Sequence, residues 1–82
     1  MSDYPLVLIE WHDAVTQGHG WRPTTKISQL EPEFIRSVGW IVKEDDKGIT
    51  LVSSITADGD ADGDVLIPVG CVISRTSLQP KL

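Results

Sequence analysis

Phe34-Ile35-Arg36-Ser37-Val38-Gly39-Trp40-Ile41-Val42-Lys43 is the stretch on which the fold turns. Phe34, Val38, Trp40 and Val42 alternate on one face, with Arg36 among them, while Ile35, Ser37, Gly39 and Ile41 take the other. Two partly apolar faces describe a central strand or a strand that bends. Gly39 is expected to mark the bend, because glycine inside a strand often sits at a bulge or barrel corner. Trp40, at the centre of the strand, is expected in the core on account of the area an indole buries.

Toward the C-terminus, Glu44-Asp45-Asp46-Lys47-Gly48 reads as a hairpin turn with Gly48 free to take a positive φ. Ile49, Leu51, Ser53 and Ile55 then alternate against Thr50, Val52 and Ser54, so residues 49–55 should pair antiparallel with the preceding strand. A Gly- and Asp-rich loop from Asp58 to Asp64 leads into Val65-Leu66-Ile67. Pro68-Val69-Gly70 breaks that run, and Cys71 to Leu78 resumes it.

Toward the N-terminus, Leu6-Val7-Leu8-Ile9-Glu10-Trp11 is a first strand ended by His12-Asp13. Between Trp11 and Pro32 lie roughly twenty residues with no regular period, a length that in compact domains is often functional. Ser28 and Glu31 have capping-box spacing, but Pro32 turns Glu31 away from helical geometry. At most one short helical turn fits.

These five strand-like runs, with a long first connection and a short break before the last, predict an all-β chain. The expected fold is a small five-stranded barrel of the Src-homology-3 type or a strongly bent antiparallel sheet. A single domain over 1–82 is expected, with loose ends at about 1–4 and 79–82. A core this small favours an added staple or a partner subunit, and Cys71, the only cysteine, excludes an intrachain disulfide. The N-terminal apolar run, Leu6 to Ile9, is only four residues long and is preceded by Asp3 rather than a basic segment, too short for a membrane span or secretory signal, so a cytoplasmic protein with no membrane partner is expected. Seven Lys and Arg against twelve Asp and Glu give a net charge of −5, which opposes docking on nucleic acid.

Asp58, Asp60, Asp62 and Asp64 match the first half of a calcium loop, but Val69 stands where its bidentate Glu belongs. The expectation is a solvated loop and no metal site. His12, His19 and Cys71 lack the closely spaced ligand pairs of structural zinc, and no nucleophile-elbow pattern surrounds any serine. Neither an enzyme nor a cofactor is expected. Trp11 and Trp21 bracket the irregular segment that also holds His19. Trp21, between Gly20 and Arg22-Pro23, is placed to stack on a flat ligand or a partner's proline while Arg22 meets an anion. Aromatic residues and Arg are the usual interface anchors. The expected ligand-binding residues are therefore Trp11, His19, Trp21, Arg22, Arg36 and Arg75, with the arginines meeting phosphate.

The order Ile9-Glu10-Trp11-x-Asp13-Ala14, Gly20-Trp21, Ser37-Val38-Gly39-Trp40, Ile49-Thr50-Leu51 and Ile67-Pro68-x-Gly70-Cys71 resembles small proteins encoded in tailed-bacteriophage genomes, from about Val7 to Leu78. The resemblance implies a viral accessory protein of the anti-defence kind, acting in the host bacterial cytoplasm by binding a host component. Some such proteins, on various folds, are oligomers that sequester nucleotide-derived immune signals. The expected function is thus non-enzymatic sequestration of a nucleotide-like small molecule by a homo-oligomer. The alternative is a protein-interaction module that blocks a host protein by surface contact.

Overall fold

A computed structural model describes residues 4–16, 18 and 20–79. Its elements are β1 (Leu6–Asp13), a helical turn α1 (Thr24–Ile27), β2 (Glu33–Glu44), β3 (Gly48–Val52), β4 (Ser54–Ile55), β5 (Ala61–Asp62), β6 (Val65–Pro68), a 3-10 turn (Val69–Cys71) and β7 (Val72–Ser77). Five of the strands form one antiparallel sheet in the order β6-β3-β2-β1-β7, and β4 pairs with β5 apart from it. The last strand thus returns beside the first, after a 3-10 turn, as in a Src-homology-3-type meander. The sheet is open: β6 and β7 are its edges.

The sheet nonetheless curls tightly. Arg75 on β7 stands across from Ile9, which stands across from Ser37, and Glu44 lies farther along β2 from Ser37. A straight strand would carry Glu44 roughly 23 Å past Ser37 at about 3.3 Å per residue. Yet Arg75 Nη1 reaches Glu44 Oε2 at 2.7 Å, so β2 doubles back over the concave face. The register slips between Ile41 and Lys43, which places the bulge at Val42 rather than at Gly39.

Gly39 is needed for closeness. A Cβ there would stand 2.6 Å from the Val52 carbonyl oxygen. Gly48, free to take a positive φ, does not take one; a Cβ on it would collide with the Ile67 carbonyl oxygen. The turn before it is closed instead by Asp45, whose Oδ1 accepts from the amides of Lys47 at 2.9 Å and Gly48 at 3.2 Å. Those two amides hold the Asp45 carboxyl below its usual range.

The core is Val7, Ile9, Trp11, Ile41, Ile49, Leu51 and Ile67, with Ile35, Val65, Cys71 and Val72 packed against it. Of the two apolar faces of β2, the concave one carrying Ile35, Ser37, Gly39 and Ile41 is the core face. Trp40, expected in the core, lies half-buried on the opposite, convex face across from Leu6 and Val52. Trp11 occupies the interior instead. Its Nε1 donates to Ser37 Oγ at 3.0 Å.

The run expected over 49–55 is interrupted at Ser53, whose amide donates to the Asp62 carbonyl at 3.1 Å. That bond starts the β4–β5 hairpin, closed by Thr56 N to Asp60 O at 2.7 Å and by Gly59 at φ 94°. The one-turn helix expected near Ser28 forms, but before it. Ser28 is the C-terminal cap and its Oγ donates to Thr25 O at 2.9 Å, because Pro32 leaves no room for a turn beyond. The ends expected to be loose lie mainly outside the described residues.

Candidate binding surface around Trp21

The segment between β1 and β2 crosses from Ala14 to Pro32 with every described residue exposed or half-exposed. Gly18 at φ 65° and Gly20 at φ 103° take left-handed conformations, open to glycine at no steric cost. Pro23 then fixes φ at −59° and opens α1, its carbonyl accepting from Lys26 and Ile27. Trp21 stands between these two fixed points with its side chain fully exposed. Arg22 beside it is exposed too, and among the described residues no carboxylate pairs with it. Elsewhere along the same segment an open cleft of about 560 Å³ is lined by Val15, Lys26, Gln29, Leu30, Glu31 and Glu33.

The other expected ligand residues do not gather here. Trp11 is a core residue, 7% exposed, and its ring is spent on packing rather than on stacking. His19 lies outside the described residues. Arg36 stands across from Glu10 and Arg75 across from Ile9. Because Glu10 and Ile9 are neighbours on one strand, their side chains point to opposite faces of the sheet, and so do the two guanidinium groups. Each already has a carboxylate. Arg36 Nε donates to Glu10 Oε2 at 3.0 Å, and Arg75 Nη1 donates to both Glu44 oxygens at 2.9 and 2.7 Å. The convergence of Arg22, Arg36 and Arg75 on one phosphate is not built.

The Asp58–Asp64 segment is a hairpin rather than a chelate. Asp62 Oδ1 accepts from the Gly63 amide at 2.8 Å. Among the described residues no three His, Cys, Asp or Glu side chains are grouped to hold a metal ion.

A cluster not foreseen from the sequence lies on the convex face. The Arg36 guanidinium sits 5.4 Å from the centre of the Phe34 ring, and His12 meets the same ring edge-on at 6.1 Å. Glu10 accepts from Ser74 Oγ at 2.7 Å on its other oxygen. The Ser74 hydroxyl and then the Arg36 guanidinium hold the Glu10 carboxyl below its usual range. The alternation of Phe34, Arg36, Val38 and Trp40 along one strand face carries the signal, but two partly apolar faces do not say which one is exposed.

No family model matches the chain, and no curated protein or solved structure is similar to it.

Proposed function

We propose that this chain is a non-enzymatic binding protein that grips a partner protein through Trp21 and blocks it by surface contact. One observation carries the reading: an indole with nothing packed on it, held between Gly20 and Pro23 on a long excursion from a bent sheet. A fully exposed tryptophan leaves a large apolar area in water, and burying it against a partner is favourable. Tryptophan and arginine are also the residues most often found dominating interface energies. The resemblance to small phage proteins sets this partner in the bacterial cytoplasm, where the block would counter host defence.

A non-catalytic role is supported by how the polar side chains are spent. Ser37 serves the Trp11 indole, Ser74 serves Glu10, and His12 rests on Phe34. A second reading, capture of a nucleotide-like molecule, is favoured by the adjacency of Trp21 and Arg22, which pairs with no carboxylate among the described residues; together they offer a stacking face and a cation side by side. The separate engagement of Arg36 and Arg75 ranks it below the first.

The test is the native mass of the wild-type protein and of Trp21→Ala after incubation with bacterial extract and repurification. A protein-sized increment that Trp21→Ala lacks supports the blocking role. An increment of nucleotide size supports sequestration. Unchanged mass in the wild type overturns both.

A further inference from the structure

The convex face of the sheet is unusual in its register. β1 and β2 pair so that Leu6 faces Trp40, Leu8 faces Val38, Glu10 faces Arg36 and His12 faces Phe34, all on the side away from the core. Val38 is 57% exposed and Phe34 46%. We propose that two copies of this chain pack through this face as a symmetric dimer, with the two-fold axis running along the strands between β1 and β2.

Charge selects a second copy as the occupant. Each chain carries −5, so most of its surface repels another copy. On these four rows the charges cancel, because Glu10 and Arg36 are paired with each other. A two-fold axis along the strands keeps each row in place and exchanges its two ends. Glu10 of one copy then lies over Arg36 of the other, and the two ion pairs meet antiparallel. In the rows on either side Leu8 lies over Val38 and His12 over Phe34, so every contact is repeated by symmetry, as an isologous interface requires. An axis across the strands would set Glu10 over a glutamate, so the register fixes the orientation as well as the partner.

Area suits a weak, concentration-dependent pair. The four rows span roughly 20 Å along β1 and β2, and β7 runs beside β1, so three strands about 14 Å wide give a footprint near 300 Å². That lies at the lower end of the largest apolar patches on monomers, about 300–600 Å². Corrugation enlarges it, and the total over both copies falls in the range of weak interfaces, below about 1,200 Å². Two faces packed this way would be aligned within about 30°, as in a sandwich.

The experiment is sedimentation equilibrium of the full chain over a wide concentration range, with far-UV circular dichroism to verify folding. The wild type is expected to reach the mass of two chains, and Trp21→Ala, whose residue lies off this face, is expected to do the same. Val38→Lys, a change at an exposed site, should give one chain at every concentration. Arg36→Glu should also dissociate the pair by stacking carboxylates. Glu10→Arg with Arg36→Glu should restore it, because the reversed pair is equally self-complementary. A wild type that stays at one chain overturns the proposal. So does any assembly of another size, or a double variant no better than Arg36→Glu alone.

Discussion

Arg75 on the last strand of the sheet donates from one Nη to both oxygens of Glu44, at the far end of the strand two places away. The contact is the visible sign of the curl in β2. Both side chains are about two-fifths exposed or more, and exposed pairs contribute at most about 1 kcal/mol. Arg75→Ala should therefore lower the urea-unfolding free energy by less than about 1 kcal/mol, and the difference should shrink in high salt. A larger, salt-independent loss would mean that the curl itself depends on this pair.

Among the described residues the Trp11 indole N–H is satisfied by Ser37 Oγ alone. Ser37→Ala leaves a buried donor unpaired and should cost about 1–3 kcal/mol in denaturant unfolding. Trp21→Ala, by contrast, should stay within about 0.5 kcal/mol of the wild type, as surface substitutions do. Iodide quenching would report the same division, with the Trp21 emission quenched and that of Trp11 protected.

Glycines separate by what surrounds them. Gly48→Ala drives a methyl into the Ile67 carbonyl and Gly39→Ala drives one toward the Val52 carbonyl, whereas nothing lies within 4 Å of a Cβ at Gly70. The first two should lose about 1–3 kcal/mol or more, in the range of overpacked cores. Gly70→Ala should be nearly neutral. Thermal melts of the three variants provide the comparison.

Glu10 and Asp45 titrate below their ordinary values of 4.5 and 3.8 in the folded chain. A lowered folded value means that the unfolded chain binds more protons across the window. The associated stability is present above about pH 4.5, declines as pH falls, and is gone once pH passes the folded values. The melting temperature should thus fall between about pH 4.5 and the acid limit. Asp45→Asn keeps the oxygen that accepts the turn amides while removing the charge, and it should flatten that slope.

The strands were legible because alternation is a local property. Leu6 to Trp11, residues 34–43 and residues 65–67 all lie inside strands that extend them by one or two residues. What alternation does not say is which face is wet when both are apolar. On β2 the inner face carries Ser37, whose hydroxyl accepts the indole N–H of Trp11 from β1, a partner chosen by cross-strand pairing far along the chain. Size and a central place in the strand point Trp40 inward, but neither says which face is covered. The bulge at Val42 has no glycine to announce it. The candidate surface was legible in part, since an aromatic beside Arg and Pro in an aperiodic segment needs no tertiary knowledge. Whether distant arginines converge depends on strand parity, which set Arg36 and Arg75 on opposite sides.

The pairing of β1 with β7 joins Leu8 to Thr76, 68 positions apart. During synthesis β1 leaves the ribosome well before β7 and must wait for that whole stretch before one of its two neighbours exists. Until then its free edge is exposed, open to strands of other nascent chains. Dominance of such remote pairings places folding in the slow, millisecond-to-second regime. High-level expression should therefore expose this protein to aggregation on the way to the native state more than the native state itself would suggest.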